Sequence, residues 1–144
     1  MKYKLTEETK VVDGHTLHRV VCVTAFASVY VGDIGGWVES EKNLSQEGDA
    51  WVNGDAWVYG NAEVCGNAKV YGDADYIVLK NSWSSGRYFT YTALNKKWKV
   101  GCFYGTGEEL IAKAYKDSEL SGKCYEASVK YVEEIERIKK EQKK

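Results

Sequence analysis

The stretch GDAWVNGDAWVYGNAEVCGNAKVYGDADYI, residues 48–77, decides the reading of the fold. It divides into hexads that begin at Gly48, Gly54, Gly60, Gly66 and Gly72. Asp or Asn follows each of these glycines, and an alanine comes next. Two residues after each alanine sits Val52, Val58, Val64, Val70 or Tyr76. The phase runs back through KNLSQE (42–47) and GWVESE (36–41), with Leu44 and Val38 at the alanine position. YVGDIG (30–35) fits only by Ile34 at the valine position. Alternate residues of a strand share a face, so Ala-x-Val points both side chains to one side. Gly-Asp and Gly-Asn tolerate positive φ and turn the chain. The pattern therefore predicts short strands joined by sharp corners, a β-solenoid with three sides and roughly 18 residues per coil.

The composition agrees with that reading. The chain has 144 residues, 14 glycines and no proline. About seven prolines would be average for this length. A strand paired on both edges needs every N–H, which excludes proline. The same absence excludes collagen-like and proline-rich linker chains. With 44% hydrophobic and 13% aromatic residues there is material for a core. A net charge of −1 argues against bulk electrostatic binding of nucleic acid. No apolar run is long enough to span a membrane, and the N-terminus carries no secretory h-region. A cytoplasmic protein is the expectation. Cys22, Cys65, Cys102 and Cys124 are scattered, with no CxxC, and are expected to be reduced and mostly buried. No metal site and no cofactor are expected.

Eight hexads from Tyr30 make about 2.7 coils, a stub whose two ends need caps. At the N-terminal side, residues 9–12 and 15–23 flank Asp13-Gly14, a two-residue hairpin signal. Val11, Leu17, Val20 and Cys22, or their alternates along the strands, are expected to cover the first coil. At the C-terminal side, 76–80, 87–92 and 98–104 read as three strands, with a turn at 94–97. Thr106 and Glu109 form a capping box that opens a helix over 107–117. A second helix is expected over 121–139, with Cys124, Ser128, Tyr131, Ile135 and Ile138 as its apolar stripe. The tail 139–144 is expected to fray. The domain reading is a hairpin cap over 1–29, a solenoid over 30–77 and an α+β domain over 78–144. The fold class is mainly β, with a short β-solenoid, a hairpin cap, and a C-terminal α+β unit of three strands and two helices.

Gly48–Ile77 resembles the hexapeptide-repeat, left-handed β-helix proteins. DIGGWVESEKNLSQEGDAWVNGDAWVYGNAEV (Asp33–Val64) resembles the short repeat proteins of phage and prophage genomes. DADYIVLKNSWSSGRYFTYTALNKKWKVGCFYGTGEEL (Asp73–Leu110) resembles the small domain that often follows such repeats. The resemblance implies the left hand of the helix and a viral accessory protein in a bacterial cytoplasm. Many hexapeptide-repeat proteins are acyltransferases with a histidine base, but these hexads contain no histidine. His15 and His18 lie in the expected hairpin, on opposite faces. They are also too few for a metal centre of carbonic-anhydrase type.

Candidate binding residues fall in two places. Trp51, Trp57 and Tyr59 are expected on outward faces, with Trp51 stacked over Lys69 and Trp57 over Asp75. Exposed indoles need cover: the hairpin or C-terminal unit, a second copy, or a foreign partner could supply it. In the C-terminal unit, Trp83, Ser84, Ser85 and Arg87 lie in a polar, turn-rich loop. Hydroxyls, an arginine fork and an indole suit a small anionic or nucleotide ligand. The alternative is an ordinary loop anchored by Trp83. Tyr104 precedes a helix N-terminus, where Glu108 and Glu109 favour capping over anion binding. Cys102 is expected to be a buried structural thiol. No Walker, dinucleotide or Ser/His/Asp pattern is present.

Three functions remain open. One is a non-enzymatic phage or prophage binding module, acting in counter-defence by sequestering a nucleotide signal or blocking a host protein. The second is a purely structural, homo-oligomerising solenoid. The third is a hexapeptide-repeat acyltransferase.

Overall fold

The structure, a computed structural model, describes residues 1–72 and 75–142. Its first element is the hairpin of β1 (Tyr3–Val12) and β2 (His15–Cys22). Asp13 and Gly14 take φ values of 50° and 82°, the positive pair that a two-residue hairpin turn requires. β1 starts earlier than the sequence suggests, and its register shifts between Leu5 and Thr9. Leu17, Val20 and Cys22 are buried as expected, whereas Val11 is exposed. β3 (Ile34–Val38) pairs antiparallel with β2, and β5 (Trp57–Val58) pairs parallel with β3. The result is one mixed sheet in the order β1-β2-β3-β5.

That sheet corrects the reading as a hexapeptide-repeat β-helix. The chain is a mix of several small sheets and two helices. From Gly48 to Gly72 the repeat segment yields two-residue strands: β4 (Trp51–Val52), β5, and β6 (Lys69–Val70). These divide between two sheets, because β5 joins the hairpin sheet while β4 pairs with β6. Trp51 does stand opposite Lys69, eighteen residues on. Trp57, however, stands opposite Trp37, and Leu44 bridges Val64, both twenty residues apart. The physical cause is competition for strand edges. β2 takes up β3, and the turns at Gly48, Gly54, Gly60 and Gly66, all at positive φ, use up the residues between strands. The last hexad includes Asp73 and Ala74, which lie outside the described residues.

The hairpin is tied to this segment by its first residues. Gln46 Oε1 accepts from the backbone N–H of Lys2 and Tyr3 at 2.8 and 3.1 Å, and its Nε2 donates to the Tyr3 carbonyl. Lys2 Nζ donates to the Ala50 carbonyl at 2.7 Å, and the Tyr3 hydroxyl to the Leu44 carbonyl at 2.5 Å. A glutamine side chain thus completes a strand edge that has no backbone partner there.

The C-terminal sheet has the order β10-β9-β8-β7 and is antiparallel throughout. It comprises β7 (Tyr76–Lys80), β8 (Tyr88–Thr92), β9 (Lys97–Val100) and β10 (Phe103–Gly105). The third expected strand is two strands, because Gly101 takes φ 55° and turns the chain. Thr106 and Glu109 form the capping box that starts α1 (Gly107–Asp117). α2 (Glu119–Gln142) buries Gly122, Tyr125, Val129 and Val132. Its buried stripe is therefore displaced from the expected one, and Tyr131 and Ile138 are exposed. The expected frayed tail is helical to Gln142, and residues 143–144 lie outside the described chain. Among the described residues no helix is long and apolar enough to cross a membrane.

Candidate functional site

The loop from Asn81 to Arg87 is organised by one buried side chain. Asn81 is 4% exposed, and its Oδ1 accepts from the Trp83 and Ser84 amides at 3.2 and 2.9 Å. The Ser84 hydroxyl donates to the same oxygen at 3.3 Å. Backbone bonds from the Asn81 amide to the Arg87 carbonyl and from Gly86 to the Asn81 carbonyl close the loop. This is the Asx-turn chemistry that lets a short polar side chain replace backbone partners. Trp83 turns inward, with its ring 4.9 Å from Tyr125 and 6.3 Å from Phe89, both edge-on. It anchors the loop, so Ser84, Ser85 and Arg87 are left facing a cavity of about 300 Å³.

The opposite walls come from α1, α2 and the β9–β10 turn. Lys113, Asp117 and Ser121 contribute the polar groups, and Val100, Phe103, Leu110 and Tyr125 the apolar ones. Arg87 lies so close to Gly101 that a Cβ there would come within 2.1 Å of its Nη1. The glycine is favoured by its φ of 55°, and the guanidinium lies against it. Lys113 Nζ stands 3.5 Å from Asp117. Two cations face one carboxylate, so the cavity carries a positive excess. Exposed i,i+4 pairs of this kind are weak, and an incoming anion competes with Asp117 at little cost. Cys102 also lines the cavity and is exposed, which corrects the expectation of a buried thiol. It follows Gly101 in the β9–β10 turn, outside both strands.

The other candidate residues lie elsewhere. Tyr104 joins the two halves of the chain. Its hydroxyl accepts from Asn95 Nδ2 at 2.7 Å and donates to Asn67 Oδ1 at 3.2 Å. Its ring sits on Gly66, where a Cβ would come within 2.4 Å. Burial pushes its hydroxyl pKa up. Trp51 is buried rather than outward, packed edge-on against Tyr3 and Phe26 at 6.5 and 5.3 Å. Trp57 is half-buried under Lys10, whose Nζ is 5.2 Å from its ring. Tyr59 stacks on His15 at 4.6 Å, and its hydroxyl donates to Asp13 Oδ2 at 3.3 Å. The hairpin therefore supplies the cover that these aromatics need.

The histidines have separate partners. His15 Nδ1 is 2.8 Å from Glu39 Oε2, and that hydrogen bond holds the Glu39 carboxyl below its usual range. His18 Nδ1 is 3.2 Å from the Thr6 carbonyl. Among the described residues no three His, Cys, Asp or Glu groups come together to hold a metal ion.

Asn81, Lys113, Asp117 and Ser121 are the polar site residues that the sequence did not single out. Asn81 before a Ser/Gly-rich run is an Asx-turn signal that could have marked the loop. Nothing local announces Lys113 or Ser121, because helix packing alone brings them to the loop. No protein family matches this chain, and comparison with curated proteins finds no similar sequence.

Proposed function

We propose that the protein is a non-enzymatic binding protein for a small anionic ligand that also carries an apolar or ring-shaped portion. The observation that supports this is the convergence of Ser84, Ser85, Arg87 and Lys113 on one cavity with an apolar wall. Its volume of about 300 Å³ is at the small end of the range for ligand sites. A mononucleotide has the matching chemistry. Its phosphate would take the Arg87 fork, the Lys113 ammonium and the serine hydroxyls. Its base would lie against Phe103 and Tyr125. The viral setting and the counter-defence role drew their support from the family resemblance, and they lose it with the correction of the fold.

Calorimetric titration with mono- and dinucleotides tests the proposal. A mononucleotide should bind, and Arg87→Ala and Lys113→Ala should each weaken it about tenfold or more, roughly 1.4 kcal/mol. Equal binding by both variants and the parent would overturn the choice of site. A second reading, self-association, is favoured by the exposed Tyr30, Val31 and Ile34 in the approach to β3. Light scattering at high concentration separates the two, since a monomer throughout removes that reading.

A further inference from the structure

The mixed sheet carries a second group of polar donors, remote in sequence from the loop 81–87. Arg19 on β2 stands opposite Trp37 on β3, and Trp37 stands opposite Trp57 on β5. Directly opposed residues share a sheet face, so the three side chains form one row. The Arg19 guanidinium carbon lies 4.9 Å from the Trp37 ring centroid. Lys10 Nζ reaches over from β1, 4.4 Å from the Trp37 ring and 5.2 Å from the Trp57 ring.

Among the described residues, three N–H groups in this row are buried and have no acceptor: Arg19 Nε, Trp37 Nε1 and Trp57 Nε1. Trp37 as a whole is 5% exposed. Buried donors without acceptors are rare, since desolvating an N–H without a partner is costly. All three can only donate. The carboxylates nearby are committed or turned to solvent. Glu39 is held by His15 Nδ1 and by the Gly60 amide. Asp55 stands 3.6 Å from Arg19 Nη1 with 89% of its side chain exposed. What the row lacks is therefore an acceptor, and two cations require that acceptor to be negative.

We propose that Arg19, Trp37 and Trp57 form a binding site for a tetrahedral oxyanion, a phosphate or sulfate group, with Lys10 as its movable cover. Such an anion offers several oxygens at once, which matches several donors and two positive charges. A metal cation is repelled by Lys10 and Arg19. Entry requires the Lys10 side chain to lift, which its flexible four-carbon stem allows.

The test uses the full chain with 15N-labelled tryptophan and inorganic phosphate as the probe, titrated against sodium chloride at equal ionic strength. The indole N–H signals of Trp37 and Trp57 should move downfield and saturate, while those of Trp51 and Trp98 stay in place. Trp57→Phe keeps the ring and removes one donor, so it should weaken phosphate binding about fivefold as read at Trp37. Arg19→Gln should weaken it more. Arg87→Ala should leave both indole shifts intact, which separates this site from the loop cavity. Three results would overturn the proposal. One is no indole movement up to tens of millimolar phosphate. Another is equal movement in all five tryptophans. The third is unaltered affinity in Trp57→Phe.

Discussion

The two halves of the molecule bury their cores by different means. In the N-terminal half most of the core is a row of aliphatic residues, with Tyr3 and Trp51 packed against it. Leu44, Ala50, Val52, Ala56, Val58, Ala62, Val64, Ala68 and Val70 are each at most 3% exposed. In the C-terminal half it is a cluster of large ones, Phe89, Tyr91, Trp98 and Tyr125, closed by Leu110, Val129 and Val132 from the helices. The first core is written along the chain by local alternation. The second is assembled from four strands and two helices whose contacting residues lie far apart in sequence. A repeated small residue spreads the burial thinly over many positions. An aromatic cluster concentrates it, and each ring carries more of the total.

Trp98→Ala should have the largest effect, about 4 kcal/mol of stability, because it empties the centre of the aromatic cluster. Val52→Ala in the other core should cost about 2 kcal/mol. Denaturant melts would compare them, and equal losses would break the contrast. Gly66→Ala comes next, at about 3 kcal/mol, since its φ is 62° and Tyr104 occupies the space. Gly54→Ala has a similar φ of 58° with open space around it, so it should cost only about 1 kcal/mol. That pair isolates the close approach between the halves from the conformational requirement that all the corners share.

Burial lowers the Lys2 pKa from 10.5 to about 8, against an opposing pull from Asp49. Above pH 8 the folded state sheds this proton while the unfolded chain still holds it. Stability therefore rises with pH in that window, by about 1–2 kcal/mol up to roughly pH 9.5. Tyr3 acts in the opposite sense. Burial raises its pKa, so above pH 10 the unfolded chain ionises first and stability falls. Tyr91, pushed up to about 12 by burial, adds the same loss from the other half. Comparing the parent with Lys2→Met at each pH isolates the first effect, because the thiols and tyrosines cancel. A constant difference between the two would count against it. Loss of the α1 cap is as small an effect as Gly54→Ala: Thr106→Ala should cost about 1 kcal/mol, read in the same melts.

Sequence reading succeeded where a signal was confined to a few adjacent residues. Asp13-Gly14 marked the hairpin, Thr106 with Glu109 marked the start of α1, and the Ala-x-Val phase marked the buried positions. It failed where the outcome depended on a competition. The hexads specify which side chains turn inward, but not which strand edge each one meets. β3 is taken by the hairpin, and the regular stack is lost. The stripe on α2 was misplaced because Tyr125 and Val129 compete with Cys124 and Ser128 for the inner face, and the aromatic cluster decides between them. For the loop site, Ser84, Ser85 and Arg87 were legible as polar loop residues. Asn81 as organiser and Lys113 as the second cation were not.

The sequence by itself determined the hairpin turn and the Gly corners of the repeat, the helix start and the inward face of each short repeat strand, because these rest on φ preferences and on a side-chain period of two. Only the tertiary structure decided which edges pair, which aromatics are covered, and which polar groups share a cavity. Those outcomes depend on contacts between residues remote in the chain, such as Lys2 with Ala50, Trp37 with Trp57, and Arg87 with Gly101. Such contacts are selected by the free energy of the whole packed molecule, and no local window of sequence contains it.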